Sequence, residues 1–286
     1  MPVTAGIYYT LFEGGSQLNK PVVLIHGAGS SSKLWPAELR RLPGRTVYTL
    51  DLPGHGRSGS PGGQSAGGFA AALVEFMASL GLYRAFFIGH DLGGAAALQL
   101  ALDFPEHVMG ISCLSSGAFF NLPAEFLAQL SAPSSTAAAQ HWLSERLRGA
   151  KPLSATEKEL FSLQPSARTS VLYNDWLACA RFDLRSQLKQ IQVPAYIACG
   201  AHDRLTPPAL SRYLADGLPA AHLEIIPASG HLLPLEQPVR LAASLGSFIT
   251  EVETVNANYP LPSLFKQNGK EAADNQNGQN GLRNGE

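Results

Sequence analysis

The chain has 286 residues, 45% hydrophobic and 15% charged, which supplies enough apolar material for one large or two small globular domains and too much for a disordered chain. Its 21 Lys and Arg stand against 22 Asp and Glu, so a formal net charge of -1 gives no field to recruit nucleic acid or an anionic membrane. Three widely spaced cysteines, Cys113, Cys179 and Cys199, with no C-x-x-C pair, argue against a disulfide framework or a zinc site and fit a reducing compartment.

Residues 1–12 lack the basic region and continuous apolar run of a secretory signal. The longest apolar-rich stretch, 85–104, is broken by His90, Asp91 and several glycines, a poor membrane span, so a cytoplasmic protein is expected. Short apolar runs bounded by turn residues follow one another at Val22–Ile25, Val47–Leu50, 86–88, 109–114, 195–199 and 223–226, as buried parallel strands do. Helical composition at 69–80 and in the Ala-rich stretch 94–102 alternates with them, which predicts an α/β fold with a mostly parallel sheet flanked by helices.

From about residue 121 to 188 the strand signals stop. Helical text takes over at 124–130 and 137–147, then in a segment that opens with Ser154 and Glu157 at capping-box spacing. Strand signals resume at Ala195, so this block interrupts one sheet and reads as a helical lid over a site. The expected division is a core at 1–118 and 191–255, a lid at 119–190, and a disordered, Asn-rich tail at 256–286.

The chemistry concentrates in Ile88-Gly89-His90-Asp91-Leu92-Gly93-Gly94, where a buried strand turns into an Ala-rich helix. A nucleophile elbow needs small residues two positions either side of its central residue so that strand and helix do not collide, and Gly89 and Gly93 meet that need. The elbow also sets its central side chain at a helix N-terminus, where negative charge is favoured.

Four motifs in this order resemble the α/β-hydrolase family over roughly residues 7–250: His26-Gly27-Ala28-Gly29, Asp51-Leu52-Pro53-Gly54-His55-Gly56-Arg57-Ser58, the elbow, and Gly200-Ala201-His202-Asp203 followed by Gly230-His231. The resemblance implies a catalytic triad of Asp91, Asp203 and His231 and an oxyanion hole from the backbone amides of Ala28 and Leu92. The loop after Leu114, Ser115-Ser116-Gly117, offers no competing carboxylate for the acid. His26 is read as a structural hydrogen-bonder of the oxyanion loop and His90 as packing or lining. With them, Phe119, Phe120, Trp142 and Trp176 are the candidates for lining a substrate pocket, alongside Phe126 of the lid. No His pair at i, i+4 and no acidic cluster calls for a metal, and no cofactor is expected.

Asp91 departs from the serine that most relatives carry at the elbow. A carboxylate is a poor nucleophile toward esters but displaces halide or opens an epoxide at saturated carbon, as in the haloalkane dehalogenases and epoxide hydrolases that this elbow resembles. Their usual helpers are absent, since Leu92 replaces Trp, Gly29 replaces Pro, and Tyr173 is the one tyrosine of the block. Trp35-Pro36 and Asp203-Arg204-Leu205-Thr206-Pro207-Pro208 look instead like the esterase and carbon-carbon hydrolase branch. Three functions follow: a cofactor-independent hydrolase of a small, mainly apolar substrate using Asp91; an ester-type scaffold whose serine is replaced; and a non-catalytic protein that binds a small ligand in the same pocket.

Overall fold

A computed structural model describes residues 2–14, 20–59, 61–132, 134–147 and 168–258. Eight strands form one sheet: β1 (Val3–Thr4), β2 (Ile7–Phe12), β3 (Val22–Ile25), β4 (Val47–Leu50), β5 (Ala85–His90), β6 (Val108–Leu114), β7 (Ala195–Gly200) and β8 (Ala221–Ile226). Their spatial order is β1-β2-β4-β3-β5-β6-β7-β8. β1 and β2 pair antiparallel at one edge, and from β4 to β8 every pairing is parallel. The two edge strands went unread in the sequence, because Ile7-Tyr8-Tyr9-Thr10-Leu11-Phe12 grades from buried to exposed along its length and does not alternate. The central strands β3, β5, β6 and β7 are buried throughout, which is why their sequences are continuous apolar runs.

Helices α1 (Ala37–Arg40), α2 (Ala66–Ser79) and α3 (Leu92–Asp103) belong to the first half of the sheet. Helix α2 begins three residues earlier than its apolar pattern suggests. The Ser65 hydroxyl accepts from the Gly68 amide at 3.1 Å, and this cap carries the helix through Gly67 and Gly68, whose propensity is low. Phe69, Leu73, Phe76 and Met77 on α2 and the alanines of α3 are buried in the main core.

Between β6 and β7 the chain forms α4 (Ala124–Ser131), α5 (Thr136–Leu147) and α6 (Thr169–Arg181); the segment containing Ser154 and Glu157 lies outside the described residues. The second half adds α7 (Pro208–Gly217), α8 (Leu233–Glu236) and α9 (Pro238–Asn258), the last reaching three residues past the expected start of the tail at 256. One compact unit spans Met1–Ile249 and contains all the groups discussed below, and a second begins at Thr250. Among the described residues no helix is long and apolar enough to cross a membrane.

Candidate active site

The elbow is built by β5, which runs parallel between β3 and β6 and ends at His90, and by α3, which starts at Leu92. Asp91 between them has φ 51° and ψ -118°, a region that side-chain-bearing residues rarely occupy and that costs of order 1–3 kcal/mol. The glycines make the turn sterically feasible: a Cβ on Gly89 would lie 2.1 Å from the Gly93 carbonyl oxygen, and one on Gly93 would lie 2.2 Å from that of Ile25. The Asp91 amide donates to the Leu114 carbonyl at 3.0 Å, and the Ser116 hydroxyl donates to the Asp91 carbonyl at 2.8 Å, so the loop after β6 fixes the strained residue from both sides.

The Asp91 side chain is buried, and its two oxygens differ. Oδ2 accepts from the Ala28 amide at 3.0 Å, and the neighbouring Leu92 amide favours the charged carboxylate, while Oδ1 has no partner among the described residues. Burial pushes the carboxyl up from its ordinary value, against the pull of His231 and of the two amides. The sequence-expected donors Ala28 and Leu92 thus both converge on Asp91.

His231 and Asp203 meet as the sequence spacing implies. His231 Nδ1 lies 3.1 and 3.0 Å from the two oxygens of Asp203, and both side chains are buried. Asp203 Oδ1 also accepts from the amides of Leu205 and Thr206, each at 2.9 Å, and Oδ2 accepts from the Thr206 hydroxyl at 2.9 Å. Burial would raise Asp203, but the His231 charge and these donors outweigh it and hold the carboxyl below its ordinary value. Burial would likewise lower His231, yet the Asp203 carboxylate, with a further contribution from Asp91, raises it. Thr206, whose hydroxyl also lies 3.2 Å from His231 Nδ1, is a member of this cluster that the sequence reading did not single out.

The two other candidate histidines are neutral. His26 accepts from the Leu52 amide at Nε2 (3.0 Å) and donates from Nδ1 to the Gly27 carbonyl (2.8 Å), so both nitrogens are spent on backbone, and its listing as a lining group gives way to the structural role. Burial, then the charge of His55, lowers it well below its ordinary value. His90 donates from Nε2 to the His231 carbonyl at 2.9 Å, with the two ring centroids 4.9 Å apart; burial, then the His231 charge, pushes it down to about 3.

The aromatic candidates divide. Trp176 is buried with its ring 5.4 Å from that of Phe126, and its indole N–H has no partner among the described residues. Trp142 also packs on Phe126, at 4.7 Å, but lines a different space, a groove of about 440 Å³ that it shares with Gln129, His141, Arg146 and Arg204 and that contains none of Asp91, Asp203 and His231. Phe120 packs on Phe182, while Phe119 lies between Arg185 and Tyr213, so the four do not form a single wall. Among the described residues no three His, Cys, Asp or Glu side chains are grouped so that they could hold a metal ion.

One connection was invisible in the sequence. Asp175 of α6 is fully buried, and its Oδ2 accepts from the Gly29 amide at 2.8 Å and from His55 Nε2 at 2.7 Å.

Comparison with known proteins agrees with this fold. The family pattern described as alpha/beta hydrolase fold matches residues 20–238. A provisionally named carbamate hydrolase RutD of Caulobacter sp. strain K31 is 28% identical, the match covering 86% of this chain and 96% of that one. Among solved structures, a hydrolase from Pseudomonas aeruginosa PA01 is 26% identical with a TM-score of 0.72, covering 85% of this chain and 94% of its own. Est816, described as an N-acyl homoserine lactone degrading enzyme, is 28% identical with a TM-score of 0.71, covering 85% and 96%. With its parallel sheet, its strained elbow and a family match over most of its length, the chain belongs to the α/β-hydrolase fold family and is a hydrolase.

Proposed function

We propose that the protein hydrolyses a small, mainly apolar substrate by displacement at saturated carbon, with Asp91 as nucleophile, His231 as the base that activates water and Asp203 as the group that fixes the imidazole, without a cofactor. The observation that carries this reading is the asymmetry of the Asp91 carboxylate, in which Oδ2 accepts from the Ala28 amide, with the Leu92 amide also favouring its charged form, and Oδ1 has no partner among the described residues. An ester substrate would need such amides for its own carbonyl oxygen, and here the enzyme's own carboxylate stands against them.

The chemistry runs in two steps. Oδ1 attacks the substrate carbon, forming a C–O bond as the bond to the leaving group breaks and its electron pair departs with the halide or epoxide oxygen. Water, giving a proton to His231, then adds to the Asp91 carboxyl carbon, and the oxyanion develops on Oδ2, where the Ala28 donor already lies. Collapse releases the alcohol, which takes the proton from His231, and leaves Asp91 as the carboxylic acid; its remaining water proton passes to solvent, or to the alkoxide left by an opened epoxide, and the carboxylate returns carrying one oxygen from water. The Asp203 carboxylate accepting from Nδ1 leaves Nε2 as the nitrogen for proton transfer.

The test is His231→Gln. General-base removal slows the water step by about 10²–10⁴ while leaving the displacement nearly intact, so an alkyl enzyme accumulates. Intact-mass measurement with a panel of haloalkanes and epoxides should show the added mass, localised by peptide mapping to Asp91; a panel that gives no adduct in the folded variant refutes the assignment.

A second reading is favoured by the relatives, which are named for carbamate and lactone substrates. In it the scaffold is an acyl hydrolase whose serine has been replaced, and Asp91 blocks the oxyanion hole instead of using it. Ester hydrolysis by Asp91→Ser together with no alkyl enzyme in His231→Gln would favour this reading over the first.

A further inference from the structure

The Asp175 contacts carry a consequence for the site. His55 has Nδ1 3.1 Å from the Pro53 carbonyl and Nε2 2.7 Å from the Asp175 carboxylate. A carbonyl and a carboxylate can only accept, so both ring nitrogens carry hydrogen and the ring is an imidazolium. His26, with its centroid 4.8 Å away, has the opposite arrangement, because its Nε2 accepts an amide and must be bare. The two neighbouring rings therefore share a single charge, and it lies on His55. Burial opposes that charge, but the Asp175 hydrogen bond and the carboxylate behind it raise His55 above its ordinary value.

The same carboxylate oxygen holds the Gly29 amide. Gly29 has φ 65°, a left-handed turn that other residues disfavour, and a Cβ there would meet the Leu172 methyl of α6 at 2.7 Å. Gly29 follows Ala28, whose amide reaches Asp91. Anchoring the peptide between Ala28 and Gly29 leaves only the Ala28 torsions to orient the preceding amide.

We propose that Asp175 and His55 are positioning residues, an ion pair through which helix α6 fixes Gly29 and thereby aims the Ala28 amide at the elbow. This rests on the reading of Ala28 and Leu92 as the oxyanion hole. The inserted helices then do more than cover a pocket: without α6 in place the hole loses one of its two donors, so seating of this helix and competence for chemistry are linked. The titratable groups near Asp175 are His55, Cys179 and, across the loop, Asp91 and His26. Cys179 is fully buried and held far above its ordinary value by burial, then by Asp91 and Asp175, so it stays a thiol and adds no charge.

The experiment is heteronuclear NMR on the full chain, labelled at His nitrogens, Asp carboxyls and backbone amides, in the parent protein and in Asp175→Asn and Leu172→Ala. The parent should show His55 protonated at both nitrogens at neutral pH and an Ala28 amide resonance that follows the titration of Asp91. Asp175→Asn removes the carboxylate and, with it, the His55 proton, so the net field on Asp91 changes little. Its effect should arrive through the loop, as a displaced Gly29 amide and an Asp91 midpoint raised by about one unit, tenfold in its protonation equilibrium. Leu172→Ala touches the same glycine without the charge and should leave His55 protonated and move the Asp91 midpoint less than half as far.

A neutral His55 in the parent overturns the proposal, as does an Asp91 midpoint that stays put in folded Asp175→Asn. Equal shifts in the two variants would also overturn it, by reducing the role to packing. An Ala28 amide indifferent to Asp91 in the parent overturns the oxyanion reading itself, and this inference with it, and is recognisable because His55 would still be charged.

Discussion

Replacing Asp91 by Ser alters the one residue that stands out of pattern, and the structure sets the size of the response. The side chain that accepts from Ala28 at 3.0 Å, and whose charge the Leu92 amide favours, is removed from the hole, and both amides become available to a substrate carbonyl. One such donor is worth about 10²–10³ in rate, and two acting together are not additive, so nitrophenyl acetate hydrolysis should rise by at least roughly 10³-fold over the parent. His231 and Asp203 need not move, because their contacts at 3.0 and 3.1 Å do not involve residue 91. Loss of the Asp91 charge takes away one of the influences raising His231, so more of the imidazole is neutral, and able to act as a base, near neutral pH. The assay is the initial rate with short-chain nitrophenyl esters for the parent, Asp91→Ser and Asp91→Ala, with circular dichroism to verify folding. A folded serine variant no faster than the alanine variant would refute the reasoning, since it would mean that the amides of Ala28 and Leu92 do not act on a substrate oxygen.

In Asp203→Asn the main support for His231 protonation is gone, so the alkaline-rising limb of the water step, which is raised from the ordinary imidazole value in the parent, should move to lower pH while the maximal rate falls; a limb unchanged in pH would detach Asp203 from the base. The same substitution carries a stability signature. The depressed Asp203 contributes stability that is present above its unfolded value and lost as pH falls through its folded one, so acid denaturation should weaken the parent more steeply than the variant. Gly89→Ala places a methyl 2.1 Å from the Gly93 carbonyl oxygen, a backbone atom that cannot turn aside, and should cost at least about 1–3 kcal/mol in urea unfolding; Gly67→Ala, whose Cβ would meet nothing within 4 Å, should be neutral or stabilising.

Much of the fold was legible because its signals are local. The central strands are buried on both faces, so each appears as an uninterrupted apolar run, and β3 and β4 coincide with the runs at Val22–Ile25 and Val47–Leu50. The elbow was legible in part for the same reason, since the steric requirement at Gly89 is imposed by the Gly93 carbonyl within five residues, although that at Gly93 comes from Ile25 on the neighbouring strand. Helix α2 was read late because its start depends on a side-chain cap, and β2 was missed because a strand whose burial fades along its length lacks a clean period.

The residue types and chain order of Asp91, Asp203 and His231 are properties of the sequence, but their meeting is a property of the sheet, which delivers β5, β7 and β8 side by side with only β6 between the first two. The state of the Asp91 carboxylate, one oxygen held and the other without a partner among the described residues, depends on where the loop after β3 comes to rest and could not be read from any motif. Least legible was the pair of His55 and Asp175, 120 residues apart and without a shared pattern. Sequence determines which groups can ionise; only the packing of α6 onto the Gly29 turn decided that these two share a buried proton, because residues so far apart in the chain come within 2.7 Å, both shielded from water, only in the tertiary structure.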